Sequence, residues 1–282
     1  MLTQALQLSS QLSEPIGVFD SGVGGLTVLK ALRTHLPNQD FIYLGDTARI
    51  PYGRKPQEMV ANFAYEITRF LEACGVAGVV IACNTASAAA LPELQAETHL
   101  PIWGVIDPGV TAARRVTQTG HVGVIGTQGT IANGAYQKRL RDLGLTVWAQ
   151  ACPLFVPLVE EGLVQTESAR VLAQHYLAER PSLDTLILGC THYPLLKKTL
   201  AEILGPGVHL VDSAEVTAET VREQWGHSGR GQGKVVHFVT GDPLAFHHTA
   251  GIMGEIGAHS QTTWLEVSVL TRFQRPSVFF QK

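Results

Sequence analysis

The chain has 282 residues, of which 45% are apolar and 16% charged, a composition typical of a globular protein with one large or two ordinary domains. Its 21 basic and 24 acidic residues leave a formal net charge of −3, which excludes an extended basic surface for nucleic acid or an anionic membrane. We therefore expect no nucleic-acid and no membrane partner, and a small anionic substrate would have to be held by local donors.

The first half of the chain alternates between predicted strands and helices. Residues 1–14 carry no Lys or Arg, do not match a signal peptide, and are expected to be a frayed extension. The continuous β-branched run that follows residue 75 is typical of a parallel strand covered on both faces. The predicted strands are 15–19, 41–45, 76–83 and 102–105, and the predicted helices are 26–35, 56–74 and 86–97.

The same alternation restarts after residue 120. Predicted strands cover 122–125, 146–150, 185–188 and 209–211, predicted helices cover 132–143, 166–179 and 195–204, and a loop covers 152–162. The strand from Gly17 matches the strand from Gly123, 106 residues later, and the strand from Phe41 matches that from Val147, again 106 later. This common offset predicts an internal duplication.

The C-terminal part contains a predicted strand over 235–240 and a helix that starts at Asp242, with Asp as N-cap and Pro243 after it. We expect this segment to return to the first half and complete its sheet. The fold class is therefore α/β, with two pseudo-symmetric domains, mainly parallel sheets and an active site in the cleft between them. The predicted domains are 14–108 plus 216–282, and 109–215.

Two of the four cysteines end a buried strand and open a polar turn. Cys83 and Cys190 lie 107 residues apart, at matching positions of the repeat. Open α/β sheets bind ligands at the C-terminal ends of their strands, where both cysteines are predicted to lie. Two such thiols could therefore form a pair of acid–base groups that face one substrate. Cys74 and Cys152 lack this placement and are expected to be buried apolar residues. The cysteine spacings favour reduced thiols and a cytoplasmic location over a disulfide framework or a metal site.

Polar residues flank both thiols. Asn84 and Thr85 follow Cys83, and Thr191 and His192 follow Cys190; these side chains can hydrogen-bond carboxylate and ammonium groups, and a His can hold or pass a proton.

A glycine-rich loop over 20–25 follows the first strand. Its backbone could cradle an anion, although a tight turn capped by Asp20 explains the same residues. For Asp46 and Thr47, beside Tyr52 and Gly53, a cap and turn is the preferred interpretation.

Several stretches together resemble the glutamate racemases, the cofactor-independent two-thiol amino-acid racemases of bacterial cell-wall synthesis. They run in family order through most of residues 15–213. The matching stretches are 17–26 (GVFDSGVGGL), 43–47 (YLGDT), 51–53 (PYG), 82–87 (ACNTAS), 104–109 (GVIDPG), 157–162 (PLVEEG) and 188–195 (LGCTHYPL).

The resemblance implies that one thiolate removes the Cα proton of glutamate while the opposing thiol protonates the other face. Cys83 would act on D-glutamate with Asp20 assisting, and Cys190 on L-glutamate with His192 assisting. Glu160 would be an auxiliary acidic residue, with Glu161 beside it leaving the assignment ambiguous. The implied substrate contacts are Asp20, Ser21, Tyr52, Gly53, Asn84, Thr85, Thr191 and His192.

The resemblance further implies that glutamate is the small-molecule partner and that the product D-glutamate supplies peptidoglycan synthesis. No cofactor and no metal is expected, since no pyridoxal or metal motif is apparent. A homodimer is left open.

Three alternatives to glutamate racemisation stay open at this point. A related racemase could act on aspartate or another small substrate. A Cys–His acyl-transfer hydrolase would use Cys190 and His192 and would need no second thiol. A protein-binding module would act independently of both cysteines.

Overall fold

The computed structural model describes residues 1–226, 231–254 and 262–275, and within these residues the strands form two separate parallel sheets. The strands are β1 (Ile16–Asp20), β2 (Phe41–Gly45), β3 (Gly78–Ile81), β4 (Ile102–Gly104), β5 (His121–Gly126), β6 (Thr146–Ala151), β7 (Thr185–Gly189), β8 (His209–Asp212), β9 (Val235–Val239) and β10 (Thr262–Trp264). One sheet has the order β10-β9-β2-β1-β3-β4 and the other β6-β5-β7-β8.

Helices connect the strands and cover the sheets. The strands β1, β2, β3 and β7 are buried along their whole length, which explains their uninterrupted apolar sequences. The α-helices are α1 (Leu2–Ser9), α2 (Leu26–His35), α3 (Gln57–Ala73), α4 (Asn84–Glu97), α5 (Ile106–Val116), α6 (Gln128–Asn133), α7 (Ala135–Asp142), α8 (Phe155–Glu160), α9 (Glu167–Leu177), α10 (Lys197–Leu204), α11 (Ser213–Trp225), α12 (Pro243–Ile252) and α13 (Val267–Leu270). Short 3₁₀ helices are Thr47–Arg49, Tyr52–Arg54, Tyr193–Leu196 and Thr271–Phe273.

The two sheets repeat one topology. The order β2-β1-β3-β4 of the first sheet is matched by β6-β5-β7-β8 in the second. In the first sheet Gly17 lies opposite Ile42, and in the second Gly123, 106 positions later, lies opposite Trp148, also 106 positions later. The sequence offset is thus preserved in the pairing register, as expected for two pseudo-symmetric halves.

The C-terminal segment adds two strands to the first sheet. Strand β9 pairs with β2, and β10 pairs with β9. The division into domains 14–108 plus 216–282, and 109–215, stays a prediction. Its boundaries fall inside the helices α5 and α11. Residues 227–230, 255–261 and 276–282 of the first predicted domain lie outside the described residues.

The expectation of a frayed N-terminus is wrong, because the first residues form α1. Ala5 and Ser9 are buried on this helix, and Leu2, Leu8 and Leu12 pack against the core of the first sheet. Apolar residues three or four positions apart lie on one helical face, which is the spacing that makes this segment amphipathic.

Two predictions in the second half also need correction. The predicted loop over 152–162 contains α8, in which Phe155, Leu158 and Val159 are buried on one face; Pro157 is tolerated because it lies in the first turn. The predicted helix over 132–143 is instead two helices, α6 and α7, separated by Gly134. This residue has φ +77°, a left-handed conformation that ends α6.

Candidate active site

The C-terminal ends of strands from both sheets open into one cavity of about 470 Å³. Ser21 follows β1, Thr127 follows β5 and Cys190 follows β7, and all three line this cavity. The predicted site residues that line it are Ser21, Tyr52, Gly53, Cys83, Asn84, Thr85, Glu160, Cys190, Thr191 and His192. Asp20 is not among the lining residues and is buried behind Ser21.

Cys83 occupies the N-cap position of α4, just after β3, and is 6% exposed. Its Sγ lies 3.9 Å from Ser21 Oγ, which in turn donates to Asp20 Oδ2 at 3.3 Å. Burial, together with the nearby charge of Asp20, raises the pKa of Cys83 to about 12. This side of the cavity therefore holds a protonated thiol at neutral pH.

Asp20 is a buried carboxyl group fixed by its own loop. Its Oδ2 accepts the Gly22 N–H at 2.8 Å, as well as the bond from Ser21. Burial raises the pKa of Asp20, while the charge of His192 and the loop hydrogen bonds oppose this effect. Asp20 is thus a buried carboxyl group that its own loop fixes one hydrogen bond away from Ser21.

Cys190 directly follows β7, is 5% exposed, and has a different partner. Its Sγ lies 3.8 Å from His192 Nδ1, and His192 Nε2 lies 2.9 Å from Glu160 Oε1. Burial lowers the pKa of His192, but the hydrogen bonds to Cys190 and Glu160 outweigh burial and raise it to about 10. The imidazolium, which has two N–H donors, can therefore bond a thiolate on one side and the carboxylate on the other.

The loop after β1 touches the turn after β7, so the two halves meet beside the thiols. Thr191 Oγ1 donates to Asp20 Oδ1 at 3.4 Å, and Thr27 Oγ1 donates to the Thr191 carbonyl at 3.0 Å. A Cβ atom on Gly24 would lie 2.3 Å from Thr191 Oγ1 and 2.5 Å from His192 Cε1. Glycine is required here because any side chain would displace these two residues.

The remaining predicted contact residues differ in what they can offer a ligand. The Tyr52 hydroxyl donates to buried Asp46, which leaves the main chain of the Tyr52–Arg54 turn as the source of donors. Asn84 Oδ1 accepts from the Tyr136 hydroxyl at 2.7 Å, whereas its buried Nδ2 has no hydrogen-bond partner among the residues that the structure describes. An unpartnered buried donor in a cavity wall is available to an acceptor of the ligand.

Sequence reasoning missed Thr127, although the repeat offered a signal. Thr127 lies 106 positions after Ser21 and occupies the same place after its strand. Its Oγ1 lies 2.9 Å from Thr85 Oγ1. The cavity residues Phe246 and Thr249 on α12 were also missed, and for them the sequence carries no comparable signal.

Of the two adjacent acidic residues, Glu160 contacts His192, whereas Glu161 is exposed; the auxiliary role of Glu160 stays a prediction. Over residues 1–226, 231–254 and 262–275, no helix has the length and apolar content to cross a membrane. In the same residues no three His, Cys, Asp or Glu side chains are grouped as metal ligands.

Two buried thiols in one cavity between two α/β repeats are the kind of groups that acid–base enzymes of the racemase type use. A family model described as Asp/Glu/Hydantoin racemase matches residues 25–221. The chain belongs to this family, and within it to the glutamate racemases, as its similarity to individual members shows. The predicted family and the predicted fold class are both confirmed.

Two organisms illustrate that similarity. A glutamate racemase of Thermus thermophilus is 54% identical over 246 residues, which cover 86% of this chain and 93% of the relative. The crystal structure of glutamate racemase from Thermus thermophilus in complex with β-chloro-D-alanine has a TM-score of 0.82 at 49% identity, covering 90% of this chain and 98% of that one. A glutamate racemase from Francisella tularensis in complex with D-glutamate has a TM-score of 0.81 at 34% identity, with the same coverage.

Proposed function

We propose that this enzyme interconverts L- and D-glutamate through two thiols, Cys83 and Cys190, and supplies D-glutamate for peptidoglycan synthesis. The observation that carries the proposal is the placement of two almost fully buried thiols, at equivalent positions of a structural repeat, in the wall of one cavity. Inversion at Cα needs a proton acceptor and a proton donor on opposite faces of a planar intermediate. Two equivalent groups from two halves supply that symmetry.

In the L-to-D direction, Cys190 is the base and Cys83 the acid. The Cα proton of L-glutamate passes to the Cys190 thiolate, and the thiol of Cys83 delivers its own proton to the other face. The raised pKa values of Cys83 and His192 support this assignment, because they favour a protonated Cys83 and an imidazolium that stabilises the thiolate of Cys190. Glu160 holds the imidazolium in place.

In the D-to-L direction, Cys83 must lose its proton before it can act as the base. The nearest acceptor is Ser21 Oγ, and Asp20 Oδ2 lies one hydrogen bond further. We assign Asp20 the role of assisting Cys83 on this basis. The substrate carboxylates and ammonium would be held by Ser21, the main chain of Tyr52 and Gly53, and the side chains of Asn84, Thr85, Thr191 and His192.

We further propose that residues 14–108 plus 216–282 and residues 109–215 act as two domains that enclose the substrate. Excluding water would strengthen the electrostatic stabilisation of the carbanion. A cytoplasmic location is proposed as well, supported by four buried cysteines that form no disulfide. The homodimer stays a prediction.

The experiment that tests the mechanism replaces each thiol in turn. Cys83→Ala and Cys190→Ala should each abolish racemisation in both directions, whereas Cys74→Ala, outside the cavity wall, should retain it. Turnover in deuterated water should place deuterium at Cα of the product enantiomer. Full activity in either thiol variant would overturn the two-thiol scheme.

A parallel assay with L-aspartate distinguishes the glutamate enzyme from a related racemase. A trapped thioester at Cys190 with normal function in Cys83→Ala would instead indicate an acyl-transfer hydrolase.

A further inference from the structure

Arg54 brings a cation to the wall of the cavity. It is the last residue of the 3₁₀ turn Tyr52–Arg54 and lines the same cavity as both thiols, but unlike them it is exposed. The turn itself is fixed, because Gly53 packs so closely on Thr127 that an added Cβ would lie 2.7 Å from Thr127 Cβ. Arg54 is therefore an exposed residue of the cavity wall that extends from a fixed turn.

The other charged residues in the cavity wall already have partners. His192 bonds Glu160 at 2.9 Å and contacts Cys190, and Asp242 Oδ1 accepts the N–H of Leu244 at 2.9 Å as the N-cap of α12. Arg54 makes no ion pair or side-chain hydrogen bond with any residue that the structure describes. It is the only lysine or arginine among the described residues that line the cavity.

The net charge of the chain is negative, so a local cation is needed to attract an anionic substrate. Glutamate carries two carboxylates and one ammonium at neutral pH, and so has a net charge of −1. The chain has a formal net charge of −3, so its overall field does not attract such an anion. A single cation at the mouth raises the local concentration of anions over roughly one Debye length, about 8–10 Å at ordinary ionic strength.

Arg54 and the two thiols also differ in exposure, which separates the attraction of the substrate from its chemical conversion. In the proposed function the reacting Cα lies between the sulfur atoms of two residues that are only 6% and 5% exposed, whereas Arg54 is an exposed residue of the same cavity wall. A guanidinium at that position acts on the substrate before and during binding, and acts equally in the ground state and the transition state. Such uniform binding changes KM and leaves kcat unchanged.

We propose that Arg54 is a capture residue that attracts the dicarboxylate substrate to the mouth of the cavity and favours it over amino acids with a neutral side chain. This inference rests on the proposed function. It assigns a binding role to a residue outside the motifs that carry the family resemblance, and it makes no claim about the thiols.

The test compares Arg54→Gln with Lys55→Gln, which makes the same charge change one residue away but outside the cavity wall. At low ionic strength Arg54→Gln should raise KM about three- to fivefold for both enantiomers, the size expected of an exposed charge pair, with kcat unchanged. Lys55→Gln should raise KM clearly less than Arg54→Gln, because the charge of Lys55 also acts over a distance at low ionic strength but lies outside the cavity wall. Arg54→Lys should restore most of the affinity, because it restores the charge.

Ionic strength supplies the second measurement. The KM difference between the parent enzyme and Arg54→Gln should vanish as salt is raised to about 0.5 M, since screening removes the contribution of Arg54. The inference is overturned if Arg54→Gln and Lys55→Gln behave alike, if Arg54→Gln lowers kcat with KM unchanged, or if the KM difference does not depend on salt. Failure of the proposed function would appear differently, as an absence of racemisation in the parent enzyme.

Discussion

Glu160 Oε1 lies 2.9 Å from His192 Nε2, and the opposite ring nitrogen of the same histidine lies 3.8 Å from Cys190 Sγ. The imidazole therefore lies between the thiol and the carboxylate, which is carried by a helix that the sequence alone presents as a loop. Cys83 instead contacts the Ser21 hydroxyl, behind which lies the buried carboxyl group of Asp20. The two halves of a symmetric fold thus surround their thiols with different side chains.

Replacing Glu160 by Gln should shift the pH dependence of L-glutamate turnover. The variant loses the charge that helps raise the pKa of His192 to about 10, so the imidazolium deprotonates at lower pH. The alkaline limb of the kcat/KM profile should move down by about one pH unit or more. Glu161→Gln, at the exposed neighbouring position, should leave the profile in place; an unmoved limb in Glu160→Gln would remove His192 from this role.

Replacing Gly24 by Ala should disturb both directions of the reaction. The new Cβ would lie 2.3 Å from Thr191 Oγ1, so the loop and the turn after β7 must move apart. We expect a loss of about 1–3 kcal/mol in unfolding free energy and a fall in kcat for both enantiomers. Gly251→Ala is the control, since its Cβ would meet no atom of the described residues within 4 Å. Equal behaviour of the two variants in denaturant titrations and assays would contradict the close approach.

Asp184 should stabilise the fold in a pH-dependent manner. It accepts hydrogen bonds from Thr117 Oγ1 and from the N–H groups of Gln118 and Thr119, each at 2.7 Å. Burial would raise its pKa, but these bonds prevail and hold the pKa of the carboxyl well below its usual range. Asp184→Asn weakens these hydrogen bonds and should therefore lower the unfolding free energy at pH 7. The loss should be only about 1 kcal/mol, because solvent screens the partly exposed carboxylate.

Since the pKa of Asp184 is lower in the folded state than in the unfolded state, its contribution is present at neutral pH. It is lost as the pH falls below about 4, the unfolded-state value. Unfolding titrations of the two proteins should converge over that range. Asp142→Asn serves as control, because the side chain of Asp142 forms an exposed ion pair with Lys138. A constant difference at all pH values would exclude this linkage.

The N-terminal helix α1 should be part of the cooperative fold. Ala5 is 1% exposed, so Ala5→Asp buries an unpaired carboxylate and should cost about 2 kcal/mol or more of unfolding free energy. Gln7→Asp places the same charge on the exposed face of the same helix and should have little effect. Equal midpoints for both variants in thermal melts would mean that α1 contributes nothing to the core.

Local sequence patterns were sufficient for most elements of the repeat. The strand and helix over 15–19 and 26–35 are close to β1 and α2, because strand burial and helical periodicity both leave strong patterns. The helix α8 left a weak pattern, since Pro157 interrupts a short apolar segment. The helix α1 was overlooked because it lacks the charged face on which an amphipathic pattern is most easily recognised.

The parts of the candidate site that are formed by residues adjacent in sequence could be predicted from the sequence. Cys83 and Cys190 were found from their place at strand ends, and the structure brings them into one cavity; their roles stay predictions. The contact of Gly24 with Thr191 joins residues that are distant in sequence, so no local pattern encodes it. The position of Arg54 at the cavity mouth likewise becomes visible only once the cavity has a shape.

The two sheets differ in how soon a growing polypeptide can complete them. All four strands of the second sheet lie within residues 121–212, whereas the first sheet needs β9 and β10, which come after it. During synthesis, the second sheet can close while the first still exposes the free edge of β2. We therefore expect the ribosome-bound chain to rely on late-arriving strands, or on a chaperone, to protect that edge from pairing with another nascent copy.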